Sequence, residues 1–284
     1  MQRTLACAVE CCGIGIHSGQ MVRMKLLPAN VDTGITFIRS DLNHTYNTVV
    51  AHFTNVVDTA MCTKLANSYG VGISTVEHLM AAFWGSGISN VEVVLDGAEV
   101  PIMDGSSQEF LELIKKGGVK EQQNNRNQLV IEEVIKVGDK NGFIMIEPSD
   151  SFSIHFEIDF RNQFIARQVY DFEEHSDFHE EISKARTFGF INDFEKLKKL
   201  GFAKGASLEN AVAVGEAGVL NEDGLRYEDE FVRHKVLDCI GDLYLASADI
   251  KGKVTAFKSG HYLNNLLLKK IFSVSDTMHM DDVI

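Results

Sequence analysis

The chain has 284 residues, 45% hydrophobic, 24% charged and 9% aromatic, with three prolines and no low-complexity tract, the make-up of a globular protein large enough for one or two domains. A formal net charge of −13 argues against general affinity for nucleic acid or anionic membrane, so an anionic ligand would need a local basic cluster. No apolar run approaches the roughly 20 residues of a transmembrane helix, and the start, MQRTLACAVECCGIGIHSG, lacks the regions of a signal peptide, so the expected location is the cytoplasm.

The first third reads as short strands and turns. Cys7, Cys11 and Cys12, with Cys62 and Cys239, make five cysteines without a CxxC pair. That pattern suits a reducing compartment, and the first three are expected as buried strand residues rather than metal ligands. GIGIHSG at 13–19 starts like a dinucleotide fingerprint, but Ser18 stands where the third glycine belongs and no helix follows. It is read as a tight turn that brings His17 near a site. VRMKLLPA, ITFIRSD and ISNVEVVLDG predict strands, and helices are predicted from about Ser74 to Phe83 and from about Ser107 to Lys116. On the first helix Val76, Leu79, Met80 and Phe83 form an apolar face, while His78 shares another with Ala81, Ala82 and Gly85. Ser74-x-x-Glu77 has the form of a capping box.

KKGGVKEQQNNRNQ, residues 115–128, is polar and free of periodicity. It predicts an N-terminal domain over 1–120, a linker over 121–128 and a C-terminal domain over 129–284. Strands follow at LVIEEVIKV, GFIMIEPSD and FSIHFEIDF, then a helical stretch near 175–184 and the segment RTFGF. Residues 192–200 place Phe194, Leu197 and Leu200 at helical spacing behind an Asn192-x-x-Glu195 cap signal. A long helix from about 228 to 249, the strand KVTAFK and a helix from about 262 to 272 close the pattern, leaving a tail that contains His279. Both halves put strands first and a chemically loaded helix later, which points to two similar α+β units.

The chemistry sits on the helices. His234, Asp238 and Asp242 recur at i, i+4 and i+8, so they form one stripe beside the apolar Val232, Val236, Cys239, Ile240 and Leu243. Such groups are costly there unless paired or bound to a metal. A solvated charged face is the plainer alternative, and the acidic run 228–230 does look solvated. With His78 as third ligand, His234 and Asp238 give two histidines and one carboxylate, with the fourth position left to water, as in a catalytic zinc site. Glu77 then becomes a candidate general base, a use exclusive of capping. A fourth protein ligand would close such a site, so His261 is assigned as general acid, oriented and charged by Asp242.

GIGIHSG, STVEHLMAAF, ARTFGF, VLNEDGLRYEDEFVRHKVLDCIGDL and KSGHYLNN, in that order and spacing, resemble the UDP-3-O-acyl-N-acetylglucosamine deacetylases of bacterial lipid A synthesis, over about residues 2–272. Ile16 stands where that family usually has Leu, a near-isosteric change. The resemblance implies two similar two-layer α/β sandwich domains with the active site at their interface and a small insert in each. It implies the metal set His78, His234 and Asp238, the base Glu77 and the pair His261 and Asp242. It adds Thr187, whose hydroxyl hydrogen-bonds the tetrahedral intermediate, and Lys235 and Lys258 near the diphosphate. Phe160 would stack on uracil. A β-α-β insert over 188–214 would build an apolar passage for the acyl chain, with Phe188, Phe194 and Leu200 toward the substrate.

The function so implied is hydrolysis of the N-acetyl group of UDP-3-O-acyl-N-acetylglucosamine, the committed step of lipid A synthesis in Gram-negative bacteria. The resemblance implies one catalytic zinc ion, with Fe2+ as the alternative, in a cytoplasmic monomer without nucleic-acid partner. One rival is a zinc amidohydrolase acting on another acylated amine, which would not need Phe160, Lys235 and Lys258. The other is a non-catalytic binding protein of the same fold, which would not keep Glu77 and His261.

Overall fold

The computed structural model describes residues 1–42, 45–160 and 164–274; the C-terminal tail with His279 lies outside the described residues. In the first half the strands Val9–Ile14, Met21–Pro28, Val91–Leu95, Ile35–Arg39 and Thr48–Val50 lie side by side in that order. All neighbours are antiparallel except Val91–Leu95 and Ile35–Arg39, which run parallel. Along Met21–Pro28 burial alternates, with Val22, Met24 and Leu26 inward and Arg23 and Lys25 outward, so one face is covered and the other is wet. Helix α1, Glu77–Ser86, precedes the central strand and α2, Gln108–Gly117, follows it.

The second half repeats this order. Ile135–Asp139, Gly142–Glu147, Lys253–Phe257, Ser153–Ile158 and Gln168–Glu173 form a five-stranded sheet whose third and fourth strands are again the parallel pair. Its helices are the short α3, Phe178–Glu181, then α4, Ile191–Lys199, α5, Glu230–Leu243, and α6, His261–Ser273. Helices α5 and α6 take the places of α1 and α2 around the central strand. Each half also carries a small insert. In the first it is the three-stranded sheet Val56–Asp58, Lys64–Ala66 and Gly72–Ile73. In the second it is α4 with the strands Phe188–Phe190, Val212–Gly215 and Gly218–Val219, of which the first two are parallel. The expected pair of similar α+β units is thus present as one topology used twice.

The equivalent helices α1 and α5 pack on one another. A side chain at Gly241 of α5 would come within 2.0 Å of the Glu77 carbonyl oxygen, so this crossing requires glycine. Between the two sheets, α1 is buried from Glu77 to Phe83, so the division into an apolar and a small-residue face disappears in a helix enclosed on all sides.

Several local expectations are corrected. The Ser74–Glu77 capping box does not form: α1 starts at Glu77 without a side-chain cap, and Ser74 Oγ donates to the Ala98 carbonyl. Nor does Asn192 cap α4, which already starts at Ile191. Within residues 115–128, which lack sequence periodicity, Val119–Glu121 forms a strand that pairs with Arg3–Leu5. LVIEEVIKV splits into Gln128–Val130, which pairs with Asp249–Lys251, and the sheet strand from Ile135. That pairing also ends the long helix at Leu243 rather than 249, through a 3-10 turn and a left-handed Ser247. Helix α3 has four residues instead of the ten expected over 175–184. Cys7 is exposed in the bend between Arg3–Leu5 and Val9–Ile14, while Cys12 is exposed and Cys11 half-buried on a strand that edges its sheet.

Candidate active site

The site forms where α1 crosses α5 and α6 begins. From α1 come Glu77 and His78, from α5 come His234, Asp238 and Asp242, and from the first position of α6 comes His261. Nδ1 of His234 faces the carbonyl oxygen of Ala185 at 3.0 Å and must donate to it, which leaves Nε2 with a lone pair pointing inward. This Nε2 lies 3.4 Å from Asp238 Oδ1, and His78 Nε2 lies 3.4 Å from the same oxygen. Ligands ~2.0–2.1 Å from a tetrahedral ion stand about 3.3–3.4 Å apart, so this spacing fits one divalent metal ion among the three atoms. Asp238 Oδ1 is buried without a hydrogen-bond partner among the described residues, an arrangement that is costly unless a cation meets it. The second oxygen, Oδ2, accepts from Lys235 Nζ at 2.6 Å. Burial pushes His234 down to about 3, and Asp238, despite its burial, is held well below the usual carboxylate range by His234 and Lys235. Neutral imidazole and ionised carboxylate are the forms that ligate metal.

Beside this cluster stand two groups suited to proton transfer. Glu77 Oε1 lies 3.7 Å from His261 Nε2, and Glu77 Oε2 accepts from the Thr63 amide at 3.1 Å. Burial raises the pKa of Glu77, against the opposing pull of His261 and His78. Across from it, His261 Nδ1 bonds Asp242 Oδ2 at 2.8 Å. Burial works against a charged imidazole there, but Asp242 and then Glu77 outweigh it and lift His261 to about 9. Asp242 is itself held by Asn264 Nδ2 at 2.8 Å and Thr63 Oγ1 at 2.5 Å. The Glu77 carboxyl and the His261 imidazole thus face each other over one space, 3.7 Å apart.

The segment ARTFGF is tied to α5 through Ala185, Arg186 and Phe188. Ala185 orients His234, Arg186 forms a buried ion pair with Glu230 at 2.8 Å, and Thr187 lines the cavity with its backbone fixed by Gly105 and Val212. Glu230 is therefore fully buried, which corrects the solvated reading of the whole run 228–230. The cavity, ≈ 290 Å³, runs from Glu77 and His78 to the insert and is walled by Ile102, Phe188, Phe190, Phe194, Leu197 and Val212. His17 also lines it, as expected of the glycine turn.

Other predicted residues lie at its margins. Phe160 is 40% exposed and meets Phe188 edge-on at 5.4 Å. Lys235 Nζ sits 5.8 Å from the Phe188 ring, while Lys258, in a left-handed conformation, pairs with Asp159 at 2.9 Å. Leu200 is 63% exposed and lies off the cavity wall. Sequence reasoning missed Thr63 and Asn264. Asn264 follows His261 by three positions on a helix, a spacing that could have found it. Thr63 carries no such signal, being 179 positions from its partner Asp242.

A family model described as UDP-3-O-acyl N-acetylglycosamine deacetylase (LpxC) matches residues 2–273. A protein of Myxococcus xanthus strain DK1622 named UDP-3-O-acyl-N-acetylglucosamine deacetylase is 47% identical over 273 residues, which cover 96% of this chain and 86% of that one. Proteins of the same name from Shewanella sp. strain ANA-3 and from Shewanella oneidensis are each 44% identical over 283 residues, 98% of this chain and 92% of theirs.

Proposed function

The chain belongs to the UDP-3-O-acyl N-acetylglycosamine deacetylase family, and from that membership we propose how its residues hydrolyse the N-acetyl group of UDP-3-O-acyl-N-acetylglucosamine in lipid A synthesis. The observation that carries the proposal is the 3.4 Å separation of Asp238 Oδ1 from both the His78 and the His234 Nε2, with all three atoms within 4.8 Å of one another, next to the Glu77 and His261 pair. We assign zinc to this site, with Fe2+ as the alternative; when bound, such an ion polarises the acetyl carbonyl and acidifies water.

Glu77 takes a proton from the attacking water. The Thr187 hydroxyl donates to the oxyanion that develops on the acetyl carbonyl oxygen as water adds to the carbon. His261, kept charged by Asp242, gives its proton to the leaving amine, and acetate departs. Phe188, Phe194 and Leu197 on the cavity wall accept the acyl chain. Lys258 and Lys235 supply the positive charge that a diphosphate needs on an acidic protein, and Phe160, at the margin beside Phe188, offers a face for uracil. Leu200 meets the chain only if the insert closes further.

The division into 1–120, a linker over 121–128, and 129–284 puts Glu77 and His78 in one unit and Thr187, His234, Asp238, Asp242 and His261 in the other. One chain supplies every residue invoked, so the proposed reaction needs no residue from a second copy. No helix among the described residues is long and apolar enough to cross a membrane, in keeping with a cytoplasmic place of action. Acetate release from the synthetic acylated sugar nucleotide, measured with and without chelator, tests the proposal. Turnover that survives complete metal removal would overturn it.

A further inference from the structure

Glu99 lies in no segment used above, yet it is 2% exposed and its carboxylate accepts three hydrogen bonds. Oε1 takes the His17 amide at 2.9 Å and the Thr75 hydroxyl at 3.0 Å, and Oε2 takes the Ser18 amide at 2.8 Å. All three donors are neutral. A buried carboxylate without a cation is a costly way to close a turn, and a glutamine could not replace it, since its amide nitrogen accepts nothing. The carboxylate lies close against the turn: a side chain at Gly15 would come within 2.2 Å of Glu99 Oε2 and 2.4 Å of Ser18 Oγ.

The turn that Glu99 holds has a second partner. The carbonyl oxygens of Ile16 and His17 accept the amides of Gly205 at 3.0 Å and Lys204 at 3.3 Å, and His17 Nδ1 accepts from the Ala203 amide at 3.3 Å. Residues 203–205 belong to the return of the insert after α4, and Ile16, His17, Ala203 and Ala206 all line the apolar cavity. A side chain at Gly205 would approach the Gly15 carbonyl oxygen to 2.4 Å, so the two backbones are in close contact. Through Thr75 the same carboxylate reaches the segment that leads into Glu77.

We infer that Glu99 is a positioning residue that sets the insert in register with the catalytic groups, and so determines how strongly the enzyme depends on the acyl chain of its substrate. It touches no reacting atom. The inference rests on the proposed acylated substrate.

The test compares kcat/KM for the acylated sugar nucleotide with that for UDP-N-acetylglucosamine, which lacks the chain, in the wild type, Glu99→Gln and Gly205→Ala. Backbone hydrogen exchange is followed in the same three proteins. In Glu99→Gln the preference for the acylated substrate should shrink roughly tenfold or more, with turnover of the chain-free substrate within about twofold of wild type. Amides at 16–19 and 203–206 should exchange faster, while those of α5 should not. Gly205→Ala opens the same contact from the insert side and should give the same pattern, and it carries the test if Glu99→Gln fails to fold. Equal slowing on both substrates, or unchanged exchange at 203–206, would overturn the inference. A wild type without preference for the acylated substrate would count against the proposed function instead, and exchange would still decide whether Glu99 holds the insert.

Discussion

Glu77 shows how far single residues could be understood from sequence. Its place after Ser74 allowed a cap or a catalyst, and the structure has no cap: both carboxylate oxygens turn away from the helix start, toward His261 and Thr63. Glu77→Gln should therefore keep its thermal midpoint and its metal while kcat falls roughly 100- to 10,000-fold. Retention of more than about a tenth of wild-type turnover would remove Glu77 from the role. The pH profile should be bell-shaped. Glu77 acts ionised and its pKa is raised by burial, so activity is lost on the acid side as pH falls through that raised value. His261 acts protonated, so activity is lost on the basic side as pH rises through about 9. Asp242→Asn removes the carboxylate that lifts His261 and should move the basic limb to lower pH; a limb that stays in place would show that His261 does not set it. The stripe His234, Asp238 and Asp242 was legible because helical spacing alone brings it together, whereas Thr63 reaches Asp242 only through the tertiary fold.

At the scale of elements, the ends of α2, α4 and α6 were legible to within a residue, while those of α1, α3 and α5 were not. Helix α5 stops at Leu243 because the chain must turn to pair Asp249–Lys251 with Gln128–Val130, a parallel contact that local pattern cannot show. Helix α4 is different: it has no buried residue, yet Phe194 and Leu197 face the cavity. A helix that spends its apolar side on a cavity rather than a core should matter for substrate more than for stability. Each methylene withdrawn from water is worth roughly 0.8 kcal/mol, so a chain-free substrate should lose about a thousandfold in kcat/KM. Phe194→Ala should narrow that gap, and Leu200→Ala, at an exposed position off the wall, should leave it within about twofold. If Phe194→Ala slowed acylated and chain-free substrates alike, the acyl chain would lie elsewhere.

At the scale of the molecule, one sheet order occurs twice, and the two copies meet through the equivalent helices α1 and α5. The sequence hinted at two similar units without showing a repeat, because the shared feature is strand order and direction rather than residue identity. Both inserts fall between the last edge strand and the interface helix, but one is a three-stranded antiparallel sheet and the other a β-α-β unit of different length, which hides the correspondence further. The join is tight at Gly241, where a methyl group would overlap the Glu77 carbonyl. Gly241→Ala should cost about 1–3 kcal/mol of stability by forcing the helices apart. It should also lower turnover out of proportion to the folded fraction, because Glu77 and His78 sit on one side of the join and His234 and Asp238 on the other. Calorimetry beside turnover per folded molecule would show this, and a variant active in proportion to its folded fraction would show the join to be structural alone.

The most direct measurement is elemental analysis of the purified wild type and of the His78→Ala, Asp238→Ala double variant. The expected result is one divalent ion per chain in the wild type, with turnover lost on chelation and restored by zinc, and little metal in the double variant. Stoichiometric zinc in the double variant would contradict the site at the crossing of α1 and α5.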